Sequence, residues 1–388
     1  MKIIIMFIML TLSILSLYSQ DYCEGYGNSW RGKEKNFGNV PTYNIPITTG
    51  WVAFSPFTDE FNTFDYSKWT KKNGSCHPMS SDSYFSSSSN NVYISGGRLV
   101  LKAKLLSTPY WCEHWDTAKY YNYSSGYISS NSAIRYGYIE IKCKLPSNIA
   151  LAPCFWMFGQ TGQYEYPFTG YEYDEIDVFE PHMPESGHDL SKTVMQNFYH
   201  NVHDPLTTQS SLRQNIFFTN TFLNQDIIFA VEWLPEEIHY YINGHLTKSV
   251  KFADDSSGSI DTDSDFTCTN FLDARGQKFQ ISLSVNSLIS TYTDVSQGFE
   301  IDYVRSYKLE EGFNYEYWPS SFSMTDPNIF KVHKNIRLGG TGKTAVIPQD
   351  ENITIWATDG IILDKGFTVS GNTTFTARNI ATTNLFTY

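Results

Sequence analysis

Short strand-like runs, most of them alternating apolar with polar residues, recur along the greater part of this chain. They include Asn91-Val92-Tyr93-Ile94-Ser95, Arg98-Leu99-Val100-Leu101-Lys102, Tyr138-Ile139-Glu140-Ile141-Lys142-Cys143, Ile238-His239-Tyr240-Tyr241-Ile242 and Gln280-Ile281-Ser282-Leu283-Ser284-Val285. A period of two is the signature of a strand with one dry face and one wet face. Clusters of Gly, Asn, Ser and Asp separate the runs, and no 3.6-residue period intervenes. The pattern predicts an all-β fold, a two-sheet antiparallel sandwich. Asn243-Gly244 reads as a tight hairpin turn.

One run differs from the rest. In Tyr171-Glu172-Tyr173-Asp174-Glu175-Ile176-Asp177-Val178-Phe179-Glu180-Pro181, Ile176 and Val178 alternate with Glu175 and Asp177, so the wet face is a row of carboxylates. Strict alternation would send Glu180 into the core, where an unpaired carboxylate is costly. A one-residue bulge between Asp177 and Glu180 resets the alternation and returns Glu180 to the face of the other two. Glu175 and Glu180 then stand about four strand steps apart, roughly 13 Å between Cα atoms. Cleavage of a glycosidic bond uses a carboxylate that attacks or stabilises the sugar and a carboxylic acid that protonates the leaving oxygen. The bland alternative is a solvated acidic face in a chain of net charge −12.

Composition narrows the choice. The chain holds 27 Tyr, 27 Phe and 9 Trp with only 18% charged residues, which suits β-sandwiches and suits stacking on pyranose rings. An acidic balance without basic runs argues against a nucleic-acid partner. Residues 1–19 read as a secretory signal, with Lys2, an apolar run from Ile3 to Leu17, and Leu17-Tyr18-Ser19 before the cut. No second apolar stretch is long enough for an integral membrane span, so the expected location is extracellular, free or at the cell surface. In an oxidising compartment Cys23, Cys76, Cys112, Cys143, Cys154 and Cys268 allow up to three disulfides, whose pairing stays open.

Five landmarks in order resemble glycoside hydrolase family 16 across nearly all of residues 50–310. Asp59-Glu60-Phe61-Asn62 with Lys68-Trp69 is similar to that family's first strand, and Tyr136 to Lys142 to its strand leading toward the cleft. Ala152-Pro153-Cys154-Phe155-Trp156-Met157 resembles its Trp-Pro-Ala-x-Trp segment, with the first Trp missing and Cys154 in place of a small residue. Glu175 to Glu180 matches its bulged Glu-x-Asp-x-x-Glu signature. Ala230-Val231-Glu232-Trp233 with Ile242-Asn243-Gly244, then Ile301 to Tyr307, are like its later strands.

The resemblance implies a jelly-roll (concanavalin A-like) sandwich with an open cleft and a retaining mechanism. By position it makes Glu175 the nucleophile, Asp177 its hydrogen-bonding neighbour and Glu180 the general acid and base. Trp156 and Tyr173 are expected on cleft strands as sugar supports, with a core role equally open to Tyr173. Trp111 and Trp115 sit in an aromatic loop between Thr108 and Tyr123 that either walls the cleft or packs on the sandwich. His200 is a further sugar contact by family analogy. Catalysis requires no cofactor, but the resemblance implies a structural calcium on Asp302 with a backbone carbonyl near Gly97, against a plain surface Asp. Arg135 and Lys142 are the nearby cations for a sulfated substrate.

The expected organisation is a signal at 1–19, an irregular lead-in at 20–47, the catalytic domain at 48–310, a linker at 311–331 and a small β module at 332–388. Ile353 to Ala357 and Ile361 to Ala377 read as layers of a stacked-β unit serving export, surface attachment or sugar binding. The expected function is an exported, endo-acting, retaining β-glycoside hydrolase acting on a polysaccharide, either β-1,3-glucan or an algal galactan. A non-catalytic carbohydrate-binding sandwich and a transglycosylase using the same acids are the alternatives.

Overall fold

The computed structural model describes residues 33–43, 51–76, 81–114, 117–134, 136–159, 175–181, 189–200, 210–234, 237–252, 266–268, 277–286 and 295–309, then 316–317, 321–323, 329–332, 335–338, 344–347, 352–357, 360–363, 365–369, 371 and 374–379. The expected signal, Tyr173, Trp115, Arg135 and Cys23 lie outside the described residues.

Two large sheets face each other, as the alternation requires. The sheet that carries the acids runs Lys33–Gly38, Gln214–Phe218, Thr193–His200, Glu175–Pro181, Leu151–Gly159, Gln277–Val285, Tyr127–Ser130 and Trp69–Lys71, with Ser210–Ser211 paired to Thr193–His200. Its partner runs Phe266–Cys268, His245–Phe252, Glu237–Ile242, Asp226–Trp233, Gly137–Lys144, Gly298–Leu309, Arg98–Lys102 and Val92–Ser95, with Trp51–Ala53 on Gly298–Leu309. The inner strands are antiparallel. Lys33–Gly38 and Phe266–Cys268 join their sheets in parallel, so the antiparallel expectation fails at these two edges. Lys33–Gly38 also gives a strand to a lead-in expected to be irregular.

The core lies between the sheets. Phe155, Met157, Ile176, Val178, Phe179, Phe198 and Ile281 project from the acid sheet, and Ile139, Ile141, Phe229, Val231, Phe299 and Ile301 meet them. Phe179 stacks on Phe229 with ring centroids 4.2 Å apart. Burial of each such side chain contributes on the order of 1.5–3 kcal/mol. Asn243 and Gly244 take φ of 47° and 78°, the left-handed pair that a two-residue hairpin turn needs.

Three further expectations are corrected. Asp59 and its neighbours form an isolated bridge to Val304 rather than a strand. Asp59 accepts Phe61 N–H and Trp69 Nε1–H at 2.9 Å each, which pins a turn with Phe61 at φ 48°. The aromatic stretch from Thr108 to Tyr123 is a hairpin of Lys104–His114 and Thr117–Ser125, joined by Ser83–Phe85 in a third sheet. Of the cysteines, Cys76 and Cys112 form a disulfide, while Cys143 and Cys154 are free and buried, on different large sheets. Three disulfides therefore do not form.

The C-terminal residues build stacked coils of short parallel strands. Glu316–Tyr317, Asn335–Leu338 and Gly360–Leu363 make one wall, Ser321–Ser323, Thr344–Ile347 and Phe367–Val369 a second, and Ile329–Val332, Asn352–Ala357 and Thr374–Asn379 a third. The first coil, 316–332, occupies the segment expected to be a linker. Parallel stacking explains the Thr- and Ile-rich composition, because like positions lie above one another from coil to coil.

Candidate active site

The Glu175–Pro181 strand carries a bulge where the sequence requires one. Asp177 pairs with Asn197 and Glu180 with Met195, so three steps on one strand answer two on its neighbour. On the other side Trp156 faces Asp177 and Phe155 faces Phe179, which leaves Val178 unmatched. Val178 and Phe179 both enter the core. Two consecutive inward residues turn Glu180 back to the face of Glu175 and Asp177.

Registers across five strands lay out that outward face as a grid. Asn197, Asp177, Trp156, Gln280 and Ser129 form one row, and Cys154, Ser282 and Tyr127 form the next. Tyr199, Glu175, Phe158 and Lys278 lie in register on the far side of Asp177. Trp156 is half-buried and its Nε1–H points to Ser282 Oγ at 3.4 Å. The Tyr127 ring stands 6.3 Å from the Trp156 ring, and its hydroxyl donates to Gln280 Oε1 at 2.6 Å. The acids thus adjoin two aromatic rings whose orientation is fixed by hydrogen bonds from their own polar ends.

The three carboxyls hold protons strongly. Burial, then the charge of Glu180, pushes Glu175 up to about 8, while an interaction with Asp177 opposes the rise. Burial and the charge of Glu175 raise Asp177 well above the carboxylate range, with Lys248 and Arg213 pulling the other way. Glu180 rises for the same first reason, then through Asp177, again against Arg213. Asp177 is fully buried, and neither of its oxygens has a partner at strict hydrogen-bond geometry. Glu175 is still close enough to gain as an acceptor from a proton held on Asp177. Glu175 is therefore the first of the three to release its proton, while Asp177 and Glu180 keep theirs, the division of labour a nucleophile and an acid require.

A raised proton affinity alone does not define such a site. Glu140, on the facing sheet, is also raised by burial, but the Tyr138 and Tyr303 hydroxyls oppose the rise and no second carboxylate adjoins it on its strand. It reads as a satisfied buried acid.

Two cations near the acids have no counterpart in the sequence reading. Arg213 is buried beside the Thr193–His200 strand and acts on both Asp177 and Glu180. Lys248, from the facing sheet, reaches beneath the same strand. Its Nζ donates to Leu212 O at 2.5 Å and to Gln196 O at 3.4 Å, and it lies 4.4 Å from the Tyr240 ring centroid. The Tyr240 hydroxyl donates in turn to Asn197 O at 2.7 Å, at the register position of Asp177. Neither cation carries a motif. A register shift at Tyr240 and Tyr241 turns Lys248 inward, and sequence alternation alone does not show it. Tyr127 and Ser129 flank core residue Ile128, a three-residue alternation that could have found them.

The remaining expected residues divide. Trp156 is on the acid face. His200 ends its strand opposite Ser210. Trp111 lies on the separate third sheet. Lys142 is not near the acids: it sits on the facing sheet with its Nζ 2.7 Å from Asp302 Oδ2. Asp302 also feels Arg98, whose guanidinium is held by Asp226, and no cluster of three His, Cys, Asp or Glu side chains suited to a metal occurs among the described residues. Gly97, at φ 73°, serves the turn between Val92–Ser95 and Arg98–Lys102. This donor set does not fit the calcium expected there.

The profile of the family described as beta-porphyranase A-D, GH16 domain, matches residues 51–309. Glucan endo-1,3-beta-glucosidase A1 of Niallia circulans is 26% identical over 271 residues, 64% of this chain and 37% of that enzyme. Kappa-carrageenase of Pseudoalteromonas carrageenovora is 26% identical over 208 residues, 50% of each chain. The chain therefore spans half or less of these relatives. Porphyranase B of Zobellia galactanivorans has a similar fold, with a TM-score of 0.51 at 15% identity over 66% of this chain and 92% of that one.

Proposed function

The chain belongs to glycoside hydrolase family 16, and from that premise we propose that it is an endo-acting, retaining hydrolase of a β-linked galactan of the porphyran class. The observation that carries the reading is the bulge, which presents Glu175, Asp177 and Glu180 on one face. In the first step the Glu175 carboxylate forms a bond to the anomeric carbon as the glycosidic C–O bond breaks, and Glu180 gives its proton to the leaving oxygen. In the second, Glu180, now a carboxylate, takes a proton from water while the water oxygen displaces Glu175 from the sugar. Asp177 holds its proton toward Glu175 and limits repulsion among the three. Trp156 and Tyr127 supply ring faces for the sugar.

The galactan assignment rests on the family profile, and Arg213 beside the acids suits a polymer bearing anionic groups. Export rests on the pattern of residues 1–19 and agrees with the Cys76–Cys112 disulfide. The C-terminal coils are assigned to export or surface attachment. The test is a panel of porphyran, agarose, kappa-carrageenan and laminarin with product sizing. Release of oligosaccharides from porphyran first supports the reading, and release from laminarin alone would replace the substrate. Retention on the polymers without reducing-sugar release would make the protein a binding sandwich. Products longer than their donor would make it a transglycosylase.

A further inference from the structure

Outside the acid face, among the described residues, an aromatic pair with both rings exposed stands on the hairpin of the third sheet. Trp111 and Tyr120 are 48% and 64% exposed, sit directly opposite each other in the strand register, and meet edge to face with centroids 4.9 Å apart. The other side of this hairpin is packed. Cys112 bonds Cys76, Tyr121 is fully buried with them, and Tyr110 stacks on Tyr84 at 4.0 Å. Lys119 Nζ donates to Ser81 O at 2.6 Å, and Asn122 Nδ2 donates to Asp82 Oδ2 at 3.0 Å. The two rings are therefore held at fixed positions on a braced support, with little ordering left to lose on binding.

The support is continuous with the acid sheet. Asp82 N–H donates to Val285 O and Val285 N–H to Ser83 Oγ, while Phe85 packs edge-on against Tyr127, 4.6 Å away, on the acid face. The strand bearing Tyr120 runs on through Gly126 into Tyr127. Seven residues of extended chain separate Tyr120 from Tyr127, about 23 Å. The pair therefore lies at most a few sugar units from Tyr127 at the border of the acid face.

We propose that Trp111 and Tyr120 form an accessory sugar-stacking site, outside the acid face, for uncharged pyranose units of the polymer held at Glu175 and Glu180. The inference rests on the hydrolase reading for the polymer but not for the binding itself. Two rings fall far short of the roughly 800 Å² per partner that a stable protein interface buries, which disfavours a protein occupant. Rings at 61° make a corner that takes the apolar face of one sugar against one ring and its edge against the other. Trp111 Nε1–H points at Glu113 Oε1, 3.5 Å away, and this carboxylate repels a sulfated unit, so the corner selects a neutral one.

The experiment uses the full chain with Glu175→Gln, so that polymer survives, and measures retardation in gels containing porphyran, agarose or laminarin. Trp111→Ala with Tyr120→Ala is expected to weaken retention about tenfold, the equivalent of about 1.4 kcal/mol, and Trp111→Phe with Tyr120→Phe to restore most of it. In the active chain the double Ala variant should lower turnover of long polymer while leaving short oligosaccharide turnover unchanged. Unaltered retention, or an equal loss on short substrates, would overturn the proposal. Ring-dependent retention in a chain that releases no reducing sugar would support this site and sink the hydrolase reading instead.

Discussion

Asp177 stands opposite Asn197 and Glu180 opposite Met195, so the acid strand spends one residue more than its neighbour between its second and third acids. Deletion of Val178 removes that residue, and plain alternation then keeps Glu180 opposite Met195 and on the face of Glu175 and Asp177. Such a variant loses one core side chain and is predicted to melt at a lower temperature while keeping measurable activity. Reducing-sugar assays and thermal melts check both, and complete loss of activity in a folded variant would contradict the outward placement given to Glu180.

Glu175 holds its proton to about pH 8 in the folded chain, against 4.5 for the ordinary side chain. A carboxyl with a raised folded-state value favours the folded state at low pH, and that stability is lost as pH rises from about 4.5 to about 8. Glu175→Gln, always neutral, is therefore predicted to be more stable than the parent at pH 8 by about 1–3 kcal/mol, after screening of the half-buried group, and equal to it near pH 4. Denaturant melts at the two pH values measure this. A variant less stable at pH 8 would show that Glu175 is not under electrostatic strain.

Lys248 supplies positive charge beneath Asp177 and ties down two backbone carbonyls. Lys248→Met should destabilise the chain by about 2–4 kcal/mol, since buried polar groups lose a partner. The groups around Asp177 are Glu175, Glu180, Cys154, Tyr240, Arg213 and Lys248, and with one cation gone the acids release protons later. The pH optimum of kcat/KM should move upward. Loss of stability with an unmoved optimum would leave Lys248 a purely structural clip.

Cys76 and Cys112 close a loop of 36 residues that includes the third sheet's first strand. Chain-entropy arguments assign such a closure about 3–4 kcal/mol. Reduction should lower the melting temperature and weaken polymer retention through Trp111 and Tyr120, while Cys154, buried and held protonated, resists alkylation in the native chain. Mass spectrometry after iodoacetamide treatment, with and without reductant, checks the assignment. Modification of Cys154 before reduction would contradict it.

Much of the sandwich was legible because its strands are short and one-sided, so burial writes itself into alternation. The bulge was legible for a related reason: only an extra residue keeps Glu180 out of the core. What stayed hidden depends on partners far apart in sequence. Lys33–Gly38 is polar in four of six positions and is a strand only because the Gln214–Phe218 edge offers it a ladder. Lys248 and Arg213 show no pattern of their own. The aromatic stretch looked like a loop because both faces carry rings, one set buried against a disulfide and the other exposed. Asp302 looked available to calcium because nothing local announces Lys142 on the neighbouring strand.

The most direct measurement is turnover of the polymer cut by the parent chain in Glu175→Gln and Glu180→Gln, each with its fold verified by thermal melting. A loss of at least about a thousandfold in both is the predicted result. Turnover near that of the parent in either variant, in a correctly folded chain, would contradict the assignment of the acid face as the catalytic centre.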